Sequence, residues 1–457
     1  MENKEKIILL FPDGVGIRNY LYSKVFKDIN YDLILWHNFD SAAVKTIKET
    51  TPIEYEYSIP QYKESLKEKF LRELICLCRL YYNSAKLKNP TLLTNWNWNQ
   101  KTIFRKIFYK TIQFLAFFIK KYKTILKLEA AYQKTIRKNP FYFEVKDILR
   151  QIKPKMVFCA HQRALKAATI FAAASDLGIE TTTVIFSWDN LPKARLALRA
   201  DNYLLWSQNM KNEMNLYYPE VDSGKLHVTS TPQFEFYDNT ANVIERNLFF
   251  QKYNLNPDKK IICFSGDDIK TSPDDPYYLK DIAQELIKNN LHLQYQILLR
   301  RCPVDFSGRY DAIVKEYAEL IKEVPPLWNN NISNEWNAVY PSPEDVKLLV
   351  STVFYADLVV NVGSTMAFDF AIYNKPCIFI NYDQENKTEK DWSVKTIYQF
   401  QHFKSMPDDD AVIWWNVKEE LAELLINQNW NNHTMMRWKE IVLDDYSNAS
   451  LKISNKL

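Results

Sequence analysis

The chain is predicted to be an α/β protein made of two doubly wound domains, each built on a parallel sheet. Three observations predict this. Short apolar runs ending in polar or small residues recur along the chain, helical patterns separate most of them, and a second such series starts near Lys259. A length of 457 residues also suits two domains of roughly 200 residues each better than one core.

In the first series, strands are expected at Lys6–Phe11, Tyr31–Trp36, Met156–Ala160, Thr181–Phe186 and Asn202–Trp206. Between two of them, "ALKAATIFAAASDLG" reads as a helix whose carboxyl end is capped by Gly178. The second series is "KKIICFSG", "YQILLR", "DLVVNVG" and "PCIFIN". A Pro-containing polar segment near residues 229–239 reads as the linker. The expected domains are therefore residues 1–235 and 240–430, with 431–457 forming a C-terminal helix that packs back on the first.

One segment departs from the alternation. From about Tyr62 to Arg150 the sequence is helical, aromatic and basic, an insertion in the first domain. Lys101–Lys138 carries eleven Lys or Arg and one acid, Glu129, with Phe, Ile and Leu recurring at three- and four-residue spacing. Such a helix is expected either to lie in a membrane interface, basic face toward anionic headgroups, or to pack its apolar face on the domain and solvate its lysines.

Composition narrows the partners. A net charge of +4 is too small to imply nucleic acid. The six cysteines show no CxxC and no metal-type spacing, and read as buried reduced thiols of a cytosolic protein. "MENKEKIILLF" contains too short an apolar run for a signal-peptide core, and no run approaches the roughly 20 apolar residues of a spanning helix. The expected location is the cytoplasm, or the inner face of the cytoplasmic membrane.

Ligands of open α/β sheets bind beyond the carboxyl ends of the strands, and several such ends hold unusual residues. "FPDGVG" places Asp13, Gly14 and Gly16, two of only seven glycines, in a turn before a helix. The turn suits either close approach of a ligand to the backbone or simple capping by Asp13. "FCAHQR" and "FSWDN" place His161 and Asp189 after later strands, as proton acceptors or as a cap and a turn residue. In the second series, Gly266 follows one strand, and Arg300 and Arg301 end another. Gly363-Ser364-Thr365 joins a strand to a helix, where amides, hydroxyls and the helix dipole would converge on a diphosphate. "PDDP" (Pro273–Pro276) and "PDDDA" (Pro407–Ala411) read as exposed acidic loops rather than metal sites.

"FSWDNLPKAR" and "ADLVVNVGSTMAFDFAIYNKPCIFI" resemble the GT-B glycosyltransferases, more narrowly the bacterial enzymes that build surface polysaccharide and lipopolysaccharide. The resemblance covers most of the chain as architecture and about 60 residues as motif. It implies two Rossmann-like domains, with a nucleotide-sugar donor in the second and a glycan or lipid-linked acceptor on the first, and no bound metal or cofactor. Carried onto this chain, Gly363, Ser364 and Thr365 would meet phosphate, and Asp369 would take the ribose hydroxyls. Gly266 would let the donor approach, with Arg300 and Arg301 compensating charge. The acceptor would lie near Gly14, Gly16, Arg18 and Trp188. The base would be Asp13, Asp189 or His161. Family members often carry Glu where this chain has Asp369. Sugar-nucleotide epimerases and polyol-phosphate transferases share the fold and remain alternatives, as does a non-catalytic scaffold.

Overall fold

The computed structural model describes residues 4–329, 339–427 and 430–457. They form two compact units. Unit 1 holds the chain through Pro232, with Phe400–His402 and Asp444–Leu457; unit 2 holds Gln233–Gln399 and Phe403–Leu443.

Unit 1 runs β1 (Lys6–Phe11), β2 (Asp32–His37), α1 (Ser41–Thr50), β3 (Ile53–Ser58), α2 (Leu66–Leu87), α3 (Ile103–Phe118), α4 (Tyr122–Ile136), α5 (Pro140–Ile152), β4 (Met156–Cys159), α6 (Leu165–Ser175), β5 (Glu180–Val184), β6 (Asn202–Leu205), α7 (Gln208–Tyr217) and β7 (Leu226–Val228). Its seven strands are parallel, in the order β3-β2-β1-β4-β5-β6-β7. The central strands β1 and β4 are buried along nearly their whole length, which is why they read as unbroken apolar runs. Edge strand β3, "IEYEYS", is mostly exposed, and its alternating Glu and Tyr hid it from the apolar-run criterion.

The insertion between β3 and β4 contains four helices. The first, α2, opens on a capping box in which Ser65 Oγ accepts from the Glu68 amide and Glu68 accepts from the Ser65 amide. Lys101–Lys138 forms two helices rather than one: Ile119 turns extended after α3, and α4 starts at Tyr122. Leu74, Leu77, Ile112, Ala116, Ile125 and Ile136 make the insertion's own core. Buried Arg79 ties it together, bonding Glu129, Glu220, Tyr122 Oη and the Tyr217 carbonyl.

Unit 2 runs α8 (Arg246–Lys252), β8 (Lys260–Ser265), α9 (Asp275–Lys288), β9 (Tyr295–Arg300), α10 (Asp311–Glu316), β10 (Ile321–Glu323), β11 (Trp328–Asn329), β12 (Tyr340–Pro341), α11 (Pro343–Tyr355), β13 (Leu358–Asn361), α12 (Met366–Ile372), β14 (Cys377–Ile380), α13 (Val394–Ile397), β15 (Ile413–Trp415), α14 (Leu421–Asn427) and α15 (Asn432–Leu443). The last helix, α16 (Ala449–Ser454), belongs to unit 1, where Ser454 Oγ donates to the Val25 carbonyl at 2.6 Å. Six parallel strands form the main sheet of unit 2, in the order β10-β9-β8-β13-β14-β15. The break between the units, at Pro232 and Gln233, falls within the segment expected as the linker, and that segment is packed. Thr229, Thr231, Phe234 and Tyr237 are buried, because its aromatic residues need cover.

Candidate functional site

Each sheet reverses its strand order once, between β1 and β4 in unit 1 and between β8 and β13 in unit 2. The crevice outside the carboxyl ends at such a reversal is where doubly wound sheets hold ligands.

In unit 1, Leu10 of β1 pairs with Cys159 of β4, so the chain leaves both strands side by side. Asp13 and His161, 148 positions apart in sequence, meet there: His161 Nδ1 lies 2.8 Å from Asp13 Oδ2. The other Asp13 oxygen accepts the Val15 amide at 3.1 Å, and both side chains are largely buried. A carboxylate against Nδ1 favours the tautomer that carries its proton there, which leaves Nε2 as the acceptor atom. The turn needs glycine at Gly16, whose φ is +91°; a Cβ would stand 2.6 Å from that of Ala160. Gly14 is buried in the same turn, and half-buried Arg18 donates through Nε to Asn19 at 3.1 Å.

Asp189 has a different setting. It forms an ion pair with Lys193 and accepts from Ser187 Oγ at 2.7 Å and Asn190 Nδ2 at 3.1 Å. Burial opposes its ionisation, but Lys193 and His402 outweigh this and hold the carboxyl well below the usual range. Trp188 is buried and edge-on to His402, ring centroids 4.6 Å apart. Burial pushes the His402 imidazole down to about 4, against the pull of Asp189. Of the three expected proton acceptors, two are thus brought together and one is engaged by a lysine.

In unit 2, Gly363 follows β13 with φ +68°, and a Cβ there would lie 2.7 Å from Phe403 Cζ. The turn is half-buried, and part of its expected anion-binding capacity is used within it. The Ser364 amide donates to Asn361 Oδ1 at 2.8 Å, and the Met366 amide to Ser364 Oγ at 3.4 Å. Thr365 precedes the first residue of α12. Asp369 is buried on α12 and accepts from Tyr237 Oη at 2.6 Å. Arg300 is buried in a pair with Asp345, at 2.8 and 2.9 Å, and Arg301 pairs with Glu323 and Asp311. Gly266 makes room for Tyr310, whose Oη would stand 2.3 Å from an added Cβ. Asp369, both arginines and Gly266 therefore have protein partners inside unit 2.

No family model matches the chain. It is 20% identical over 227 residues to a teichoic acid poly(ribitol-phosphate) polymerase of Bacillus spizizenii, a match covering 49% of this chain and 32% of the polymerase. The match thus spans about a third of the length of that curated relative. Among solved structures, the S. aureus MnaA–UDP complex superposes with a TM-score of 0.52 at 11% identity, covering 99% of this chain and 95% of the other. The UDP-GlcNAc 2-epimerase of Methanocaldococcus jannaschii gives 0.52 at 13% identity, with 99% and 98% covered. The UDP-N-acetylglucosamine 2-epimerase of Rickettsia bellii gives 0.52 at 11%, with 99% and 95% covered. The chain has the GT-B fold.

Within this GT-B chain, further groups at the strand ends went unread in the sequence. "PDDP" is not an exposed loop: Asp274 and Asp275 are buried at the start of α9. The Asp275 carboxylate accepts the Asp267 amide at 2.7 Å, Ser272 Oγ at 2.5 Å and Tyr310 Oη at 3.0 Å, and Asp274 accepts the Thr388 amide at 2.8 Å. Arg309 holds the carbonyls of Ser272, Pro273 and Asp267 around them. Burial, then the charges of Asp275 and Asp268, push the Asp267 carboxyl up. In unit 1, burial pushes Arg163 and Lys166 down, each in the field of Asp13. On α7, burial and Asp189 push Glu213 up to about 8. Only the adjacency of "FSGDD" to "PDDP" and the basic residues in "HQRALK" hinted at these groups.

Proposed function

We propose that this protein is a glycosyltransferase that moves a sugar from a nucleotide-sugar donor to a glycan or lipid-linked acceptor in bacterial surface polysaccharide synthesis. One observation carries the reading: the Asp13–His161 contact of 2.8 Å at the strand-order reversal of unit 1. An imidazole whose Nδ1–H is held by a carboxylate presents Nε2 as a general base.

In this mechanism His161 Nε2 takes the proton of the acceptor hydroxyl, and Asp13 orients and stabilises the resulting imidazolium. The acceptor oxygen bonds to the anomeric carbon as the bond from that carbon to the donor phosphate oxygen breaks. The nucleoside diphosphate leaves with the electron pair. Its phosphates would sit at the Gly363–Thr365 turn, where hydroxyls and the α12 dipole favour negative charge. The reading uses no divalent cation.

Two other chemistries of the same fold have specific support. The structural likeness to UDP-GlcNAc 2-epimerases favours an epimerase at least as well. The polymerase relative favours transfer of a polyol phosphate. A thermal-shift screen against UDP-, GDP-, CDP- and CMP-sugars, followed by mass spectrometry of the products, separates the three. Glycosyl transfer yields free nucleoside diphosphate (CMP from a CMP-sugar) and an acceptor heavier by one glycosyl residue. Epimerisation leaves the nucleotide attached at unchanged mass, and polyol-phosphate transfer from a CDP-polyol releases CMP and leaves an acceptor heavier by a polyol phosphate. A chain that binds none of these donors would defeat the enzyme reading in favour of a scaffold.

A further inference from the structure

The insertion carries a surface feature that sugar transfer does not require. On α3, Ile103, Phe104, Ile107, Phe114, Phe117 and Phe118 are 57–78% exposed, while Ile112 and Ala116 on the opposite side are fully buried. At 100° per residue, positions 103, 107, 114 and 118 fall within one narrow arc. The outward face of α3 is therefore its more apolar face, the reverse of an ordinary surface helix. An exposed patch of this kind marks an interaction surface.

The charges around it identify the occupant. Lys106 and Lys110 lie along one edge of the arc and, with Ile107, Thr111 and Phe114, line a hollow of about 430 Å³. Lys120, Lys121 and Lys123 follow the carboxyl end of α3, and Lys120 Nζ sits 4.5 Å from the Phe117 ring centroid. No Asp or Glu occurs between Glu73 and Glu129. Large apolar side chains bordered by lysine along one edge and at one end, with no acid among them, complement a bilayer surface of anionic lipid: rings in the acyl boundary, ammonium groups at the phosphates. Among the described residues, no helix is long and apolar enough to cross a membrane.

We infer that α3 docks this protein flat on an anionic membrane surface, with Ile103, Ile107, Phe114 and Phe118 inserted and Lys106 and Lys110 at the headgroups. This stands apart from the transferase reading, since docking needs no nucleotide.

The test is co-sedimentation of the full chain with vesicles of phosphatidylcholine alone or mixed with phosphatidylglycerol. The chain should pellet with the mixed vesicles and release at high salt. The triple change Ile107→Ser, Phe114→Ser, Phe118→Ser should abolish binding without lowering Tm, because those side chains are exposed. Lys106→Gln with Lys110→Gln should weaken binding by about thirtyfold at low salt. Equal binding to neutral vesicles would overturn the proposal. So would light scattering showing a dimer that the triple change dissolves, with no vesicle binding by the monomer, because the face would then belong to a second copy. Vesicle binding by a chain that turns over no donor would leave this inference standing while the transferase reading fell.

Discussion

Asp13→Asn tests the proposed base most directly. The wild-type carboxylate accepts from both partners, the Val15 amide at 3.1 Å and the His161 ring at 2.8 Å. A carboxamide of nearly the same shape can still accept from Val15 with its oxygen, which turns its NH2 toward His161. Nδ1 must then accept, the ring proton moves to Nε2, and the atom proposed to take the acceptor's proton becomes a donor. General-base catalysis is worth about 10²–10⁴ in rate, or about 3–5 kcal/mol, so kcat should fall by that factor. Losing one charge-assisted hydrogen bond should cost about 1–2 kcal/mol of stability, leaving the chain folded. Donor affinity by calorimetry should stay within about twofold of wild type. Long-range proton–nitrogen NMR of the imidazole should report the tautomer change independently of turnover. Unchanged kcat with the tautomer switched would refute the argument, because His161 would then have no part in proton transfer.

Three further outcomes follow from other sites. Gly363→Val forces a β-branched residue into φ +68° and against Phe403, so it should cost at least about 2 kcal/mol of stability and abolish donor binding. Intact affinity would remove the turn from the site. Glu213 keeps its proton up to about pH 8 in the folded chain but loses it near the ordinary glutamate value of 4.5 when unfolded. Folding therefore weakens as pH rises through that window, and Glu213→Gln should raise Tm more at pH 9 than at pH 5. An equal gain at both would show that Glu213 ionises normally. Arg79→Met should cost about 3–5 kcal/mol, read by denaturant unfolding, since it strands Glu129 and Glu220 against the insertion core. A loss below 1 kcal/mol would show that Arg199, which also pairs with both acids, suffices.

Local patterns carried most of the fold. The unbroken apolar runs of β1, β4, β8, β13 and β14 are what strands buried on both faces must look like, so two parallel sheets could be read from them. Strand β3 escaped because an edge strand has no such requirement, and the break between α3 and α4 because the amphipathic spacing continues across it. Among the candidate residues, Asp13, His161, Gly363 and Ser364 were legible because strand ends and glycine turns leave local marks. Their partners were not. Arg300 reads as a phosphate contact until Asp345 is seen beside it. "PDDP" reads as a solvated loop until Arg309 and Tyr310 are seen folded over it.

The sequence by itself determined the strands, the turns that end them and the side chains those turns carry, since these depend on neighbours within a few positions. Tertiary structure decided which of those side chains meet. The order β3-β2-β1-β4 sets β1 beside β4 and so joins Asp13 to His161 across 148 positions. It also decided which face of α3 looks outward. Helical periodicity defines an apolar stripe, but only the packing of Ile112 and Ala116 into the insertion core turns the phenylalanines toward solvent.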